Sequence, residues 1–148
     1  MTREALLAYC ADKFGTEADY PFERDALTAV FRHAANRRWY GIVMRIHPSR
    51  LGLPGDKLID IVNLKLPLEL RDSFGPAEGV LPGYHMNKAH WVSLPLESSG
   101  NVSDSAGGSR GHAAPYPLPD DETIRFLLGV SYEVTRPVIK PRKARDEK

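Results

Sequence analysis

The sequence contains a single cysteine, Cys10, among its 148 residues. One thiol excludes an intramolecular disulfide and any zinc site that is built from several cysteines. No apolar run approaches the roughly 18 residues that a membrane-spanning helix needs. The N-terminus carries an early acid, Glu4, and lacks the apolar stretch of a signal peptide. These absences predict a cytoplasmic protein that has no contact with a membrane.

The sequence also lacks an excess of charge of one sign. Its 20 basic and 19 acidic residues give a net charge of +1, whereas a strongly basic composition is what points to nucleic acid. The basic side chains are unevenly distributed, because residues 138–148 contain five lysines or arginines and two acids. This basic tail is either a solvated terminus or a segment that contacts phosphate.

Motifs for catalysis and metal binding are missing too. Neither of the glycine-rich phosphate-binding patterns occurs, and there is no His-x-His or Glu-x-x-His spacing. The serines near Gly107-Gly108 lie in a segment without rigid support, so we expect no nucleophile there. We therefore expect no catalytic residue, no metal and no cofactor. The sequence favours a non-enzymatic role and leaves an unrecognised activity open.

Length and composition predict one domain. Apolar residues make up 42% of the chain, and a domain of this size buries roughly two thirds of its unfolded surface, so no covalent staple is required. Between residues 97 and 119, serine, glycine and proline occupy 12 of 23 positions, which predicts a flexible insertion. The predicted domain spans residues 1–137 around this insertion and precedes the basic tail.

Hydrophobic periodicity and turn residues predict the secondary structure. A first helix begins after a Thr2 cap and ends at Gly15, and a last helix begins after an Asp120 cap. Strands are predicted at Leu27–His33, Trp39–His47, Leu58–Leu66 and Trp91–Leu96, and a short helix at Leu68–Phe74. Short turns between strands, with helices at the chain ends, predict an α+β fold. In it, the terminal helices pack on an antiparallel sheet of about five strands.

Alternation along the strands assigns their two faces. In the second predicted strand it places Tyr40 on the same face as Ile42. In the third predicted strand, Asn63 and Lys65 lie opposite an aliphatic face. We therefore expect the Asn63 and Lys65 side of the sheet to be exposed.

One stretch concentrates polar and aromatic side chains: residues 82–91, here termed the polar loop. A Pro82-Gly83 turn opens it, and the fourth predicted strand follows. Asn63 and Lys65 join the candidate site because their strand face is expected to lie beside this loop. Lysine and asparagine donate to phosphate or base edges, and tyrosine and tryptophan offer stacking planes. The candidate binding residues are Asn63, Lys65, Tyr84, His85, Asn87, Lys88, His90 and Trp91.

Structural roles compete with this functional interpretation. His85, Asn87 and His90 can hold a tight turn through side-chain to backbone hydrogen bonds, while Trp91 covers the edge of a core. Cys10 lies on the inward face of the first helix, and we interpret it as a small buried hydrophobe rather than a nucleophile. The sequence leaves the choice between binding and turn formation open.

The run Tyr-His-Met-Asn-Lys-Ala-His-Trp at Tyr84–Trp91 resembles the signature of the MmcQ/YjbR family. Further similarity lies in Asp19–Phe22, Val30–His33, Arg38–Tyr40, Asp60–Lys65 and Leu128–Thr135. The resemblance covers residues 2–96 and 118–137. It implies a small bacterial α+β domain of CyaY-like type, which has been likened to a double-wing DNA-binding domain, and it implies no catalytic residue set. The chain departs from the family pattern at Leu66, where a cysteine often stands, and in its insertion.

These observations predict a domain that binds nucleic acid, specifically DNA, or has a regulatory role. Lys65, Lys88 and Arg71 would meet phosphate, while Tyr84 and Trp91 would stack or wedge. A small-molecule-binding protein or unrecognised enzyme that uses the polar loop as a pocket is one alternative. A protein-interaction module is another. The expected partners are DNA or a small anionic ligand, and the expected state is a monomer or a weak dimer.

Overall fold

Two terminal helices pack on one face of a five-stranded antiparallel sheet in the computed structural model, which describes residues 1–98 and 114–137. The helices are α1 (Arg3–Phe14), α2 (Leu68–Arg71) and α3 (Asp121–Thr135). The strands are β1 (Ala29–Arg32), β2 (Trp39–Ile46), β3 (Ile59–Lys65), β4 (Leu81–Pro82) and β5 (Trp91–Pro95), in the order β1-β2-β3-β5-β4. The predicted α+β class is confirmed. The basic tail and residues 99–113 of the predicted insertion lie outside the described residues.

The two long helices are capped as the sequence predicts. Thr2 Oγ1 accepts a hydrogen bond from the Ala5 amide at 3.1 Å, and Asp120 accepts one from the Thr123 amide at 2.8 Å. Gly15 ends α1 in the left-handed conformation, with φ of 67°. Within the described ranges, no helix is long and apolar enough to cross a membrane.

The core lies between the terminal helices and the sheet. Its fully buried aliphatic and aromatic side chains include Leu6, Phe31, Tyr40, Leu64, Leu94, Ile124, Leu127 and Leu128. Cys10 is completely buried among them, and burial raises the pKa of its thiol to about 12. A thiol with such a pKa is almost entirely protonated at neutral pH and a poor nucleophile. The interpretation of Cys10 as a buried hydrophobe is confirmed.

A β-bulge changes the predicted faces of β2. Arg32 pairs with Trp39, but the preceding residue, Phe31, pairs with Gly41. Tyr40 therefore has no partner in β1 and is an extra residue in the ladder. Tyr40 consequently joins the core beside the helices, whereas Ile42 is buried on the other face of the sheet. The prediction that Tyr40 and Ile42 share a face was wrong, because alternation assumes an uninterrupted ladder.

The second face of the sheet is covered, and the prediction that it is exposed was wrong. One row of paired residues crosses all five strands on this face, and every member is buried: Val30, Ile42, Asn63, Ser93 and Leu81. The polar loop folds back over Asn63 and Ser93 and removes them from solvent. Alternation along β3 identified the face that carries Asn63. The burial of Asn63, however, depends on the polar loop, which lies about twenty residues later in the chain.

The C-terminal end of α3 is fixed to the β1–β2 hairpin by buried polar groups. His33 Nε2 lies 2.8 Å from Thr135 Oγ1, which itself donates to the Ser131 carbonyl at 2.7 Å. Ser131 Oγ donates to the Tyr40 carbonyl at 2.6 Å. Asn36 Nδ2 donates to the Thr135 carbonyl at 3.1 Å, so the tip of the hairpin also contacts this helix end. His33 is only 5% exposed.

Protonation of His33 is expected to destabilise the fold. Burial lowers the pKa of His33, and the positive charges of Arg136 and Arg38 lower it further. The unfolded chain therefore binds the proton more readily than the folded chain, and stability falls as pH drops below about 6.5, the ordinary histidine pKa. The slope for one such group is at most about 1.4 kcal/mol per pH unit. Urea unfolding of the parent and of His33→Gln between pH 7.5 and 5 tests this.

The His33→Gln variant is expected to be less stable at pH 7.5 and to lose little further stability on acidification. His85→Gln is the control, because it makes the same replacement at an exposed position outside the buried contacts of His33. An equal loss of stability between pH 7.5 and 5 in the parent and in His33→Gln would contradict the assignment to His33.

Candidate functional site

The polar loop is attached to the sheet by a hydrogen-bond network centred on Asn63. Asn63 Nδ2 donates to the Tyr84 carbonyl at 3.0 Å, and the Tyr84 amide donates to Ser93 Oγ at 2.9 Å. Ser93 Oγ in turn donates to Asn63 Oδ1 at 2.5 Å. Asn63 and Ser93 are both fully buried and face each other across β3 and β5. Both side chains therefore position Tyr84 and the loop that follows it.

The loop approaches β5 closely at Gly83. The Gly83 amide donates to the Trp91 carbonyl at 3.0 Å, and a Cβ at position 83 would lie only 2.8 Å from that carbonyl oxygen. Any side chain there would force the loop away from β5. The glycine of the Pro82-Gly83 turn is thus required by packing rather than by a positive φ.

Two of the candidate residues help to form the turn itself. Asn87 Oδ1 accepts from the Ala89 amide at 2.9 Å, and the Asn87 carbonyl accepts from the amides of His90 and Trp91, both at 3.0 Å. Lys88 Nζ donates to the Gly83 carbonyl at 3.0 Å, which ties the two ends of the loop together. The structural interpretation therefore applies to Asn87 and Lys88.

The histidines differ from these turn-forming residues. His85 and His90 are exposed, and neither side chain has a hydrogen-bond partner among the described residues. His85 also adopts a left-handed backbone conformation with φ of 59°, which is unfavourable for a residue with a Cβ. Its ring packs at 4.1 Å from the ring of Tyr84. The loop thus holds an imidazole and a phenol together at the surface.

Lys65 and Trp91 lie side by side at the base of the loop. They are direct partners in the β3–β5 ladder, and both are half-buried. Arg71 of α2 reaches the loop as well, since its Nη1 donates to the Lys88 carbonyl at 2.9 Å. Arg71 Nε is buried and has no hydrogen-bond partner in the described part of the chain. Lys65 and Trp91 therefore adjoin the base of the polar loop, and Arg71 contacts the loop at Lys88.

The candidate residues thus fall into three groups, of which the first, Asn87 and Lys88, forms the turn. Lys65, Tyr84, His85, His90 and Trp91 present side chains at or near the surface, whereas Asn63 lies beneath the loop and contacts Tyr84 and Ser93 instead of solvent. Sequence reasoning did not select Ser93, although its position opposite Asn63 on a polar strand face was a usable signal.

The same end of the sheet carries a second group of cations. The tip of the β1–β2 hairpin contains Arg37 and Arg38, both exposed, and it contacts the end of α3, where Arg136 is also exposed. The start of β2, the end of β3 and the start of β5 meet at this end, because neighbouring strands are antiparallel. Sequence reasoning did not select Arg37 and Arg38, which lie at the same end of the sheet as Lys65 because β2 and β3 are antiparallel.

Acidic side chains mark the opposite end of the sheet. Glu97 and Asp121 bind the N-terminal ammonium at 2.9 and 2.6 Å, and Asp120 and Glu122 lie at the start of α3. Metal ligands do not gather in the described ranges, which contain no group of three or more His, Cys, Asp or Glu side chains that could hold an ion. This end, here termed the acidic end, also carries cations, since Arg45 pairs with Asp60 and Arg50 and Lys57 are exposed on the β2–β3 connection.

Comparison with known proteins identifies a relative but assigns no activity to the chain. No family model matches the chain. Over 97 residues it is 46% identical to the uncharacterized protein YyaQ of Bacillus subtilis strain 168, and the alignment covers 66% of this chain and 82% of YyaQ. The chain belongs to the YyaQ family. Because YyaQ is uncharacterized, membership of the YyaQ family establishes homology but assigns no function.

Solved structures share the fold of this YyaQ-family chain. A crystal structure and a solution NMR structure of a Pseudomonas syringae protein match it with TM-scores of 0.75 and 0.71 at 33% identity. They cover 92% of this chain and 100% and 94% of the respective neighbours. Protein DR2400 of Deinococcus radiodurans, described as a DUF419 domain, matches with a TM-score of 0.58 at 25% identity, over 97% of this chain and 86% of its own. These bacterial relatives support a small domain of unknown function.

Proposed function

We propose that this chain is an MmcQ/YjbR-family domain that binds nucleic acid, specifically DNA, through the end of the sheet that carries the polar loop and the hairpin tip. Lys65, Arg38 and Arg136 contact phosphates in this proposal, and Trp91 and the Tyr84–His85 pair contact bases or sugars. The family assignment rests on the Tyr84–Trp91 signature together with the DUF419 neighbour. A cytoplasmic location follows from this role and belongs to the proposal.

The observation that carries the proposal is the group of exposed arginines at the hairpin end of the sheet, here termed the basic end. A net charge of +1 gives little attraction for DNA if it is spread evenly, but a group of cations at one end creates a local positive potential. Arg37, Arg38 and Arg136 are exposed at the basic end. Residues 138–148, which follow directly after Pro137, add five more basic side chains in sequence. Phosphate contacts of this kind orient a protein on the duplex without reading its sequence.

The exposure of the histidines favours a recognition surface over a pocket. A ligand pocket buries most of its ligand among convergent side chains, but His85 and His90 are exposed. Among the described residues, a groove of about 710 Å³ lies between α1 and α3, away from the polar loop. The strained backbone of His85 supports a functional role for the loop, since such conformations concentrate at binding sites. Neither the small-molecule nor the enzymatic alternative gains support from this geometry.

Binding to a labelled DNA duplex and to a single strand tests the proposal by fluorescence anisotropy across a salt series. The logarithm of the association constant should fall linearly with the logarithm of salt concentration, with a slope of about −0.9 per neutralised phosphate on duplex DNA. Arg38→Ala combined with Lys65→Ala should weaken binding about tenfold at low salt and reduce the slope by about 1.8.

Arg50→Ala combined with Lys57→Ala is the matched control. It removes the same two residue types from the β2–β3 connection, at the acidic end, where both side chains are exposed. This control should bind DNA with nearly parental affinity. The proposal fails if the parent does not bind at low salt, or if the two double variants lose affinity equally.

A further inference from the structure

The outward face of α3 is the largest feature that the proposed function does not use. Phe126 and Val134 are 53% and 41% exposed, and they lie on one helix beside a groove. They line the groove of about 710 Å³ between α1 and α3, together with Tyr9, Phe14 and Val130. Charged side chains complete the lining: Lys13, Glu122, Arg125 and Glu133.

Gly129 lies in the middle of this face without a packing reason. Glycine in a helix interior costs about 1 kcal/mol relative to alanine. No atom lies within 4 Å of a Cβ built at Gly129, so nothing in the described fold requires its small size. A glycine at the centre of an exposed helix face allows a second backbone to approach closely.

The charges on α3 are antisymmetric about Gly129. Arg125 and Glu133 lie four residues before and after it, and Glu122 and Arg136 lie seven residues before and after it. Helical spacing puts all of them on one side, because residues at i, i+4 and i+7 share a face. All four side chains are exposed.

A two-fold axis through Gly129 converts this antisymmetry into complementarity. In an antiparallel pair of α3 helices related by that axis, Arg125 faces Glu133 of the second copy, and Glu122 faces Arg136 of the second copy. Every contact then occurs twice with opposite charges, as an isologous interface requires. The groove beside Gly129 would receive Phe126 of the second copy.

The stability of an isolated α3 helix does not explain the order of these four charges. The helix dipole favours acids near the N-terminus and bases near the C-terminus, which accounts for Glu122 and Arg136. It disfavours Glu133, an acid in the last turn, where the helix has no basic residue. The intrahelical pair of Glu133 with Arg136 at 2.9 Å is exposed and contributes little.

We propose that two copies of this chain associate through their α3 helices, antiparallel and crossing at Gly129, as a weak symmetric dimer. One helix face supplies less area than the roughly 1,200 Å² that a stable complex buries, so the dissociation constant lies in the micromolar range or above. This inference concerns a face of α3 outside the polar loop, and Arg136 is the one residue that it shares with the proposed DNA contacts.

Sedimentation equilibrium on the full chain from micromolar to millimolar concentration tests the dimer. The parent mass should rise from monomer towards dimer. Arg125→Glu and Glu133→Arg should each weaken self-association at least about tenfold, because each places like charges opposite one another at two positions. Mixed in equal amounts, the two variants should form a heterodimer, because the glutamate introduced into one then faces the arginine introduced into the other. Arg50→Glu, on the β2–β3 connection, is the control and should associate like the parent.

Gly129→Leu provides a second test that does not depend on charge. The open space at Gly129 lets the monomer accept leucine, and thermal unfolding should show that the fold persists while the dimer is lost. A parent that stays monomeric throughout, as it would if residues 138–148 covered this face, overturns the proposal. So does self-association that Arg125→Glu, Glu133→Arg and Gly129→Leu leave unchanged.

Discussion

Replacing Asp60 with alanine is expected to lower the free energy of unfolding by about 3–5 kcal/mol, the usual cost of leaving a buried charge without its partner. Asp60 is 5% exposed and accepts hydrogen bonds from Arg45 Nε at 2.9 Å and Arg45 Nη2 at 3.2 Å. Arg3 Nε lies 3.5 Å from the same carboxylate, and Arg3 is 6% exposed. Without Asp60, the Arg3 guanidinium keeps only its hydrogen bond to the Leu27 carbonyl.

Arg45→Ala is the matched control for this cluster. The Arg45 side chain is 35% exposed and Asp60 retains Arg3 after its removal, so the expected loss is about 1 kcal/mol. Urea unfolding followed by circular dichroism gives both values. A larger loss for Arg45→Ala than for Asp60→Ala would show that Arg3 does not depend on Asp60.

Replacing Asn63 with leucine is expected to lower the free energy of unfolding by about 3 kcal/mol. Leucine has the same number and branching of side-chain heavy atoms but leaves the Tyr84 carbonyl and Ser93 Oγ without their partner, and each unsatisfied buried group costs about 1–3 kcal/mol. Because Asn63 is fully buried, water cannot replace the lost bonds without opening the loop. Hydrogen exchange at the Tyr84 amide should therefore become faster along with the loss of stability.

Asn87→Leu is the control within the same loop. Asn87 is exposed and its side chain bonds only to the nearby Ala89 amide, so the expected loss is below about 1 kcal/mol. If Asn63→Leu and Asn87→Leu destabilise the protein equally, Asn63 does not anchor the polar loop. An Asn63→Leu variant whose Tyr84 amide exchanges as slowly as in the parent would lead to the same conclusion.

The parts of the fold that were predicted correctly are those with strong local signals. β3 and β5 were located to within about one residue at each end, because apolar side chains alternate along them and turns bound them. The caps at Thr2 and Asp120 were correct because N-capping depends on side chains within three residues. β4 was missed, since two residues, Leu81–Pro82, are too few to show a period.

The errors arise where burial depends on distant segments. The Tyr40 bulge and the covered second face both result from tertiary contacts that alternation does not encode. The position of Asp60 in the sequence indicated a buried ion pair, but no such pair was predicted. Asp60 lies two residues before Val62 on the core-facing side of β3, and an acid at such a position requires a buried base.

The candidate site was predicted in part. Alternation along β3 places Asn63 and Lys65 on one face, whereas their pairing with Ser93 and Trp91 is known only from the register of the ladder. The distinction between exposed His85 and buried Asn63 could not be predicted, because it depends on how the loop folds back onto the sheet. Which of these residues contact a ligand stays a prediction.

Chemical-shift mapping tests the central claim most directly. A short DNA duplex is added at low salt to isotope-labelled protein, and the backbone amides are followed by NMR. The account predicts shifts confined to the basic end of the sheet: the hairpin tip around Arg38, the strand ends at Lys65 and Trp91, and the polar loop around His85. Shifts concentrated instead on the acidic end around Lys57, or an absence of shifts at saturating DNA, would contradict it.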